Sequence, residues 1–240
     1  MKGIILAGGM GTRLRPLTYI TNKHLLPVYD RPMILYPMET LRASGILDVM
    51  IVCGREHAGD FINFLGSGKE YGVKLSYAVQ DKNNGGIADA LSYAEEFADE
   101  GSAAVILGDN IFEDNFARAV KNFKSGVQIF LKSVQDPQRY GVPVFDKSGK
   151  KIIRIEEKPK NPKSNFAQTG FYLMDNQIFS FIKKITPSQR GELEITDSIN
   201  HYVRSGNINF SIVKGRWYDA GTIDSLLESS IQIRKKSKGV

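Results

Sequence analysis

Short apolar runs alternate with amphipathic segments through the first half of the chain. A short apolar run predicts a buried strand, whereas apolar residues that recur every three or four positions predict a helix. In chain order, the pattern predicts strand 3–7, helix 33–43, strand 48–53, helix 59–65, strand 74–80, helix 87–97 and strand 103–107. Such an order is typical of a parallel sheet that is covered by helices on both faces.

The second half is less regular and is punctuated by prolines. It predicts strands at 127–134, 140–145, 152–157, 168–174 and 208–214, and helices at 176–184, 195–205 and 222–234. The sequence contains no internal repeat, low-complexity segment or linker. We therefore expect a single domain over residues 1–240 with an α/β fold. It should be a Rossmann-like three-layer sandwich, in which a mixed, mainly parallel sheet has helices on both faces.

Composition sets broad limits on the class of protein. The 240 residues are 42% hydrophobic and 24% charged, which is ordinary for a soluble globular protein with a large core. The single cysteine, Cys53, excludes an internal disulfide framework and indicates a buried thiol in a reducing compartment. No apolar run reaches the length of a membrane span and no signal peptide is recognisable, so we expect a cytoplasmic protein without a membrane partner.

The formal net charge of +6 is compatible with nucleic acid or with small anionic substrates. Much of the excess lies in a short basic end that contains Arg234, Lys235, Lys236 and Lys238. Such an end is typically a solvated tail, and the chain has no basic stripe with interleaved aromatic residues. The charge therefore favours a small anionic substrate, and we expect no nucleic-acid partner.

A glycine-rich turn follows the first predicted strand. It contains Gly8, Gly9 and Gly11, then Arg13, and Lys23 follows ten residues later. Glycines allow backbone N–H groups to approach an anion closely, and the two cations can neutralise the charge that those groups surround. The segment predicts a triphosphate site. The simpler alternative is a strand-to-helix turn that needs glycine for its positive φ, but it does not account for the two cations.

Two better-known glycine loops do not fit this turn. The dinucleotide fingerprint requires a third glycine where the chain has Leu14, which weakens the case for a dinucleotide-dependent oxidoreductase. The P-loop requires Gly-Lys-Ser/Thr, whereas Gly11 is followed by Thr12 and Arg13.

Polar residues at the carboxyl ends of the predicted parallel strands should meet at one edge of the sheet. Gln80 follows one strand and offers both a donor and acceptors, which suits the edge of a pyrimidine ring. In the loop 81–86 after it, Gly85 and Gly86 would let the backbone approach a flat base. The alternative is that Gln80 is a polar strand end and that the two glycines cap the next helix.

Two aspartates are candidate Mg²⁺ ligands. Asp109 ends a strand after Gly108, and Asp219 lies in a second strand-to-helix turn. Mg²⁺ usually binds one or two carboxylates and completes its coordination with phosphate oxygens and water. The alternatives are a turn-forming role for Asp109 and a helix cap for Asp219.

Glu157 and Lys158 end another predicted strand. A glutamate can accept hydrogen bonds from sugar hydroxyls, and the adjacent lysine can hold a phosphate. A solvated charge run is the alternative. The three histidines are scattered without zinc spacing, and no Ser-His-Asp arrangement or Gly-x-Ser-x-Gly elbow is present, so neither a transition metal nor a covalent nucleophile is implied.

Taken together and in order, these motifs resemble those of the sugar-1-phosphate nucleotidyltransferases. The resemblance covers nearly the whole chain, at 8–14, 23–30, Gln80, 107–110, 140–142, 156–159, 169–172, 190–197 and 219–222. It implies the nucleotidyltransferase fold, with a nucleotide-binding half of about 1–125 and a sugar-binding half of about 126–240.

The resemblance also implies roles for the matching residues. The expected nucleotide contacts are Leu6, Gly8, Gly9, Gly11, Thr12, Arg13, Lys23, Gln80, Gly85, Gly86 and Asp109. The expected sugar-phosphate contacts are Asn110, Tyr140, Gly141, Glu157, Lys158, Gln168 and Tyr172. Catalysis should depend on Arg13, Lys23, Asp109, Lys158 and Asp219, with Mg²⁺ bound by Asp109 and Asp219.

The implied reaction joins dTTP and glucose 1-phosphate to give dTDP-glucose and pyrophosphate, in a homo-oligomer (a dimer or tetramer). A uridylyltransferase of the same fold is the nearest alternative, since thymine and uracil differ by one methyl group. A non-catalytic sensor of nucleotide sugars is the alternative of a different class, and it would not need the two aspartates and three cations.

The chain departs from the family pattern at a few positions. His24 and Asp89 each replace a glutamine, Gln168 replaces a valine, Ala220 replaces a threonine, and the base loop has one extra residue. Because the chain ends soon after the Asp219 motif, it resembles the short form of the family. We therefore do not expect the regulatory site that the C-terminal extension of longer members helps to build.

Overall fold

The computed structural model describes residues 1–82 and 85–239. Within them the strands are β1 (Lys2–Ala7), β2 (Pro27–Val28), β3 (Arg31–Pro32), β4 (Asp48–Gly54), β5 (Lys74–Gln80), β6 (Ala103–Leu107), β7 (Asn110–Phe112), β8 (Val127–Ser133), β9 (Gly141–Phe145), β10 (Ile152–Glu157), β11 (Phe166–Met174), β12 (Ile208–Ile212) and β13 (Trp217–Asp219). The α-helices in the same residues are α1 (Leu35–Ala43), α2 (Ala58–Leu65), α3 (Ile87–Ser92), α4 (Glu95–Ala98), α5 (Ala117–Asn122), α6 (Gln177–Ile182), α7 (Ile195–Ser205) and α8 (Ile223–Ser237). Asn83 and Asn84 of the predicted base loop lie outside the described residues.

Among the described residues, seven strands form the main sheet in the order β12-β8-β11-β6-β1-β4-β5. β1 runs parallel to β4 and β6, β4 is parallel to β5, and β12 is parallel to β8. β11 is antiparallel to both of its neighbours. The predicted α/β fold with a mixed, mainly parallel sheet is confirmed.

The apolar run of β1 reflects burial on both faces of the sheet. Ile4 and Leu6 belong to one core cluster and Ile5 and Ala7 to a second, as the alternation of side chains along a strand requires. Helices α3, α6 and α7 contribute to the first cluster, and α1 and α2 to the second. A strand covered on both faces has no polar side, which is why this run shows no alternation.

Predicted and observed elements agree best where packing and periodicity act together. The strands at 74–80, 103–107 and 152–157 and the helix at 195–205 have the predicted bounds. The predicted helix 87–97 is instead two short helices, because α3 ends at Ser92 and α4 begins at Glu95. Elements of two or three residues, such as β7 and β13, were not predicted, since they are too short to show a period.

Two small antiparallel pairs lie beside the main sheet and position the site. β9 pairs with β10, and β7 pairs with β13, so that Asp219 stands opposite Asn110. The main sheet takes strands from both sides of residue 125, and the division of the chain near that residue stays a prediction. In the described part of the chain, no helix is long and apolar enough to cross a membrane.

Candidate active site

A cavity of about 490 Å³ lies beyond the carboxyl ends of β1, β5 and β6. Except for Gly11 and Gly85, every residue predicted for the nucleotide, sugar-phosphate or metal site lines this cavity. The rule that ligands bind beyond the carboxyl ends of parallel strands grouped the glycine turn, Gln80, Asp109 and Asn110, and the remaining residues were expected from the family resemblance. Their individual roles stay predictions.

A side chain is disfavoured at each glycine of the first turn, but for different structural reasons. Gly8 stands against Gln80, and a Cβ at Gly8 would collide with the Gln80 amide oxygen. Gly9 and Gly11 have φ angles of +90° and +58°, which side-chain-bearing residues rarely adopt. A Cβ at Gly11 would also lie 2.9 Å from the side chain of Thr18. Gly11 therefore allows the chain to turn next to Thr18, and it does not line the cavity.

Lys23 and Asp109 form a close ion pair in the cavity wall. Lys23 Nζ donates a hydrogen bond to Asp109 Oδ2 at 2.5 Å, and the two side chains are 16% and 8% exposed. Burial by itself would raise the pKa of Asp109, but the combined effects of Lys23, His24 and the Asn110 hydrogen bond outweigh it and hold that pKa well below its usual range. Asp109 is therefore a carboxylate across the physiological pH range.

Asp219 approaches Asp109 from β13. Asp219 Oδ1 and Asp109 Oδ2 lie 2.9 Å and 3.3 Å from the position that a Cβ on Gly221 would occupy, and Arg13 Nη2 lies 2.9 Å from the same position. Two carboxylates and a guanidinium thus converge above a residue without a side chain. Burial, followed by the negative charge of Asp109, raises the pKa of Asp219.

This pair of carboxylates fits a divalent cation that prefers oxygen ligands. The two buried negative charges disfavour each other, and a cation between them would relieve that cost. Residues 1–82 and 85–239 contain no group of three or more His, Cys, Asp or Glu side chains that could hold a metal ion. A cation bound by Asp109 and Asp219 would therefore complete its coordination with phosphate oxygens and water.

A buried polar pair lies in the cavity wall at the end of β5. Gln80 is 4% exposed, and its Nε2 donates a hydrogen bond to Asp89 Oδ2 at 2.8 Å. This bond directs the amide oxygen of Gln80 toward Gly8. Asp89, which departs from the family pattern, thereby sets the orientation of the residue that we expect to contact the base.

Gly85 and Gly86 pack against another loop. Leu193 N donates to Gly85 O at 2.8 Å, and Ala88 N donates to Leu193 O at 3.1 Å. Gly86 has a φ of +89°, and a Cβ there would lie 2.6 Å from Leu193 O. The two glycines thus join the base loop to the segment that precedes α7, and Gly85 does not reach the cavity surface.

Glu157, at the end of β10, is the centre of a polar cluster in the cavity wall. Thr196 Oγ1 donates a hydrogen bond to Glu157 Oε2 at 2.5 Å. Arg190 Nη2 and Lys158 Nζ lie 3.5 Å and 3.9 Å from Glu157 Oε1. Burial raises the pKa of Glu157, while the Thr196 hydrogen bond acts in the opposite direction.

Some cavity residues received no role from the sequence. Arg139 Nη2 lies 3.9 Å from Asp219 Oδ2 in the cavity wall. His24 lies under Gly108, and burial followed by the charge of Lys23 lowers its pKa to about 3, so it is neutral. A lone arginine before a predicted strand and scattered histidines carry no spacing signal, so the sequence could not single them out.

Trp217 and Asn110 hydrogen-bond to each other beside the two aspartates. Asn110 Oδ1 accepts hydrogen bonds from Trp217 Nε1 at 2.7 Å and from Gly170 N at 2.9 Å. Asn110 Nδ2 donates to Asp109 Oδ1 at 3.0 Å. Asn110, expected as a sugar-phosphate contact, therefore also positions Asp109. The single tryptophan of the chain, two residues before Asp219, was the available signal for this arrangement.

Comparison with known proteins agrees with this geometry. The family model described as nucleotidyl transferase matches residues 2–236. A glucose-1-phosphate thymidylyltransferase from Neisseria gonorrhoeae is 44% identical over 237 residues, which cover 96% of this chain and 81% of that protein. The enzyme of the same name from an Actinoplanes species is 40% identical and covers 100% of this chain and 80% of its own length.

Solved structures show the same fold. A provisionally assigned glucose-1-phosphate thymidylyltransferase from Bacillus anthracis, in complex with a sucrose, is 51% identical with a TM-score of 0.92 and covers 98% of this chain and 95% of its own. A UDP-glucose pyrophosphorylase complexed with UDP-glucose is 26% identical with a TM-score of 0.85, and covers 98% of each chain. On the family match and on these levels of identity, the chain belongs to the nucleotidyl transferase family.

Proposed function

We propose that the protein transfers the thymidylyl group of dTTP to α-D-glucose 1-phosphate and releases pyrophosphate. One observation carries the proposal: the five side chains expected to do the chemistry, Arg13, Lys23, Asp109, Lys158 and Asp219, line one cavity. The names of the relatives that are 40% and 44% identical support the same substrates. The activity is therefore a nucleotidyl transfer, with dTDP-glucose as the product.

The cavity suits a transfer between two phosphorylated molecules. Its wall contains the glycine turn next to Gln80, the pair Glu157 and Lys158, and the two aspartates. An oxygen of the sugar phosphate attacks the α-phosphorus of dTTP in line. The new P–O bond forms as the bond to the α,β-bridging oxygen breaks, and pyrophosphate leaves with that electron pair. No covalent intermediate with the protein is required.

The charged side chains position the reactants and neutralise charge. Arg13, next to the aspartates, stabilises the negative charge of the departing pyrophosphate. Lys23 keeps Asp109 ionised and faces the same phosphates, and Lys158 orients the sugar phosphate. Asp109 and Asp219 would hold Mg²⁺, whose charge neutralises and orients the phosphate oxygens when it is bound.

Pyrophosphate release tests the proposal directly. The purified protein should release pyrophosphate when it is mixed with dTTP, Mg²⁺ and glucose 1-phosphate, and should release none when the sugar phosphate is omitted. Product mass should match dTDP-glucose. Binding of dTDP-glucose without any turnover would instead establish a non-catalytic sensor.

A parallel assay with UTP addresses the nearest alternative. An apolar contact with the thymine methyl group is worth about 1–3 kcal/mol, so we expect a preference for dTTP of roughly tenfold or more in kcat/KM. A preference for UTP would assign the protein as a uridylyltransferase, an activity related to that named for the 26% identical structure.

We also propose that the protein is a homo-oligomer, a dimer or a tetramer. Helix α8 exposes Ile223, Leu227 and Ile231 at a spacing of four residues, which places them on one face. A second copy of the chain could cover such a face. Light scattering at working concentration should give a mass of two or four chains, and a mass of one chain would refute this proposal.

A further inference from the structure

The segment 213–216, which connects β12 to β13, is held by hydrogen bonds along its whole backbone. Each of its four N–H groups donates to a group outside the segment, and each of its four carbonyl oxygens accepts from one. Surface loops usually leave part of their backbone polar groups to water. The complete pairing of this segment therefore indicates that its position is fixed.

Lys132 provides three of these hydrogen bonds. It is half-buried near the end of β8, and its Nζ donates to the carbonyl oxygens of Val213, Lys214 and Gly215 at 3.3, 3.3 and 2.6 Å. An ammonium group has three N–H donors and no acceptor, so three carbonyl oxygens use all of them. Hydrogen bonds from a charged donor are about twice as strong as those between neutral groups. One side chain thus binds three consecutive carbonyl groups.

Two acidic residues that follow β7 bind the N–H groups of the same segment. Asp114 Oδ2 accepts a hydrogen bond from Gly215 N at 2.7 Å, and its Oδ1 accepts one from Lys214 N at 3.1 Å. Glu113 pairs with both backbone groups of Arg216, at 3.1 and 3.2 Å. A Cβ on Gly215 would lie 2.7 Å from Asp114 Oδ2, so this close approach requires glycine. Different elements therefore bind the two kinds of backbone group.

The strand that follows this segment carries a candidate metal ligand. β13 begins at Trp217, directly after the segment, and both Trp217 and Asp219 line the cavity. Asp219 lies opposite Asn110 in the β7–β13 pair, and Trp217 Nε1 donates to Asn110 Oδ1. A two-stranded ladder of three residues is only marginally stable by itself. The place of β13 therefore depends on the segment that leads into it, although Lys132 is not part of the cavity wall.

We propose that Lys132 is a positioning residue for the metal site: by binding the carbonyl groups of 213–215, it holds β13 where Asp219 meets Asp109. This inference rests on the proposed function, since it concerns the two carboxylates that would hold Mg²⁺. Replacing a residue that orients a metal ligand commonly costs about 10- to 100-fold in metal affinity. Lys132 therefore increases the affinity for Mg²⁺ without contacting the ion or either substrate.

The direction of the effect separates positioning from simple electrostatics. By Coulomb interaction alone, removing the positive charge of Lys132 would strengthen the binding of a divalent cation. Losing its three hydrogen bonds acts in the opposite direction, because Asp219 then leaves its place beside Asp109 in part of the molecules. We therefore expect Lys132→Met to weaken Mg²⁺ binding, although the variant is less positively charged.

The first measurement uses the fluorescence of Trp217, the single tryptophan of the chain. Wild type and Lys132→Met are compared in EDTA, at a temperature at which circular dichroism shows both to be folded. Emission from Trp217 should shift to longer wavelength in the variant, and acrylamide should quench it more strongly. Both changes are expected when β13 separates from β7 and the indole ring meets water. The measurement requires neither metal nor turnover.

The second measurement is a Mg²⁺ titration of the melting temperature, because a cation that binds only the folded protein raises that temperature. The Mg²⁺ dissociation constant fitted to the rise should be about tenfold higher for Lys132→Met than for wild type. At saturating Mg²⁺, pyrophosphate release by the variant should return toward the wild-type rate, because excess cation compensates for weaker binding.

Lys2→Met is the matched control for loss of a lysine that binds a backbone carbonyl group. Lys2 Nζ donates to Phe97 O at 2.6 Å, but Lys2 is the first residue of β1, whereas the cavity lies beyond the last. This variant should keep the Trp217 spectrum and the Mg²⁺ dissociation constant of wild type. If Lys132→Met does not fold, Lys132→Gln, which retains an amide donor, replaces it in both measurements.

The outcomes distinguish the inference from the function on which it rests. An unchanged Trp217 spectrum in Lys132→Met, or a Mg²⁺ dissociation constant that stays the same or falls, would overturn the inference and leave the function intact. A wild type whose melting temperature does not respond to Mg²⁺ would overturn the inference together with the metal site. If wild type binds Mg²⁺ but releases no pyrophosphate, the proposed function fails, and both measurements still test the role of Lys132.

Discussion

Lys23 Nζ and Asp109 Oδ2 lie 2.5 Å apart in the cavity wall, at a point where the chain has placed two residues 86 positions apart in sequence. The pair is largely shielded from water, with side-chain exposures of 16% and 8%. A buried pair contributes little net stability, but removing one partner leaves an uncompensated charge. Because removing one partner costs more stability than the pair contributes, single and double variants can test whether the two side chains interact.

We predict that Lys23→Met lowers the free energy of unfolding by about 3 kcal/mol, since it leaves the Asp109 carboxylate buried without its cation. Adding Asp109→Asn to Lys23→Met should restore part of that loss. Urea unfolding of wild type, both single variants and the double variant gives the coupling energy. Strictly additive effects would show that the two side chains do not interact in solution.

In contrast to Lys23, Asp219 should be replaceable without a loss of stability when no metal is bound. Its raised pKa means that the ionised form is disfavoured in the folded protein, so at neutral pH the neutral Asp219→Asn variant should melt no lower than wild type in EDTA. Added Mg²⁺ should raise the melting temperature of wild type but not that of Asp219→Asn, because a cation stabilises only the protein that binds it. Activity of the variant should fall by about 100-fold or more.

Asp224→Asn is the matched control for that experiment, because it changes an acidic residue in the first turn of the helix that follows Asp219. It should retain both the Mg²⁺-dependent shift in melting temperature and the activity. If Asp219→Asn showed a Mg²⁺-dependent shift in melting temperature as large as that of wild type, Asp219 would not be a ligand of the metal ion.

The raised pKa of Glu157 predicts a pH-dependent contribution to sugar binding. Burial lifts this pKa above its ordinary value of 4.5, so the carboxylate is present above the raised value and is lost as pH falls through it. At pH 7.5, Glu157→Gln should reduce kcat/KM for glucose 1-phosphate by about tenfold or more, since a charged acceptor becomes neutral. The difference between the two enzymes should shrink toward acid pH.

The ratio of wild type to Glu157→Gln is the quantity to plot against pH. The sugar phosphate titrates near pH 6 by itself, but that titration is common to both enzymes and cancels in the ratio. A ratio that is constant from pH 5 to 8 would mean that the charge of Glu157 does not contribute.

The orientation of Gln80 should depend on Asp89. Asp89→Leu leaves Gln80 Nε2 buried without an acceptor, so we expect a loss of about 1–3 kcal/mol of stability and a rise of about tenfold in the KM for dTTP. The KM for glucose 1-phosphate should change little. Steady-state kinetics with each substrate varied in turn gives both values.

Asp81→Asn serves as the control for Asp89→Leu. Asp81 directly follows Gln80 but forms an exposed ion pair with Arg55, and exposed pairs contribute little. Its kinetics and stability should match those of wild type. Equal rises in both substrate constants for Asp89→Leu would point to a general loss of structure instead of a base-specific effect.

The sequence predicted most of what local pattern controls. The short, continuously apolar run 103–107 predicts a buried strand, the period of 195–205 predicts a helix with one buried face, and both elements are observed. The same rules failed at 87–97, where an apolar stripe suggested one helix and the chain turns between Ser92 and Glu95. A hydrophobic period records burial, and two short helices can bury the same stripe.

The sequence by itself determined the α/β class and the set of residues at the strand ends, because local apolar patterns indicate which segments are buried and in what order the strands follow. Only the tertiary structure decided that Asp219 would lie beside Asp109, through a ladder of three-residue strands with no local signature. It also brought Arg139 and His24 into the cavity wall and, within residues 1–82 and 85–239, left Gln168 Oε1 without a hydrogen-bond partner. Such contacts join residues far apart in the chain, so their energy exists only once the whole sheet has formed.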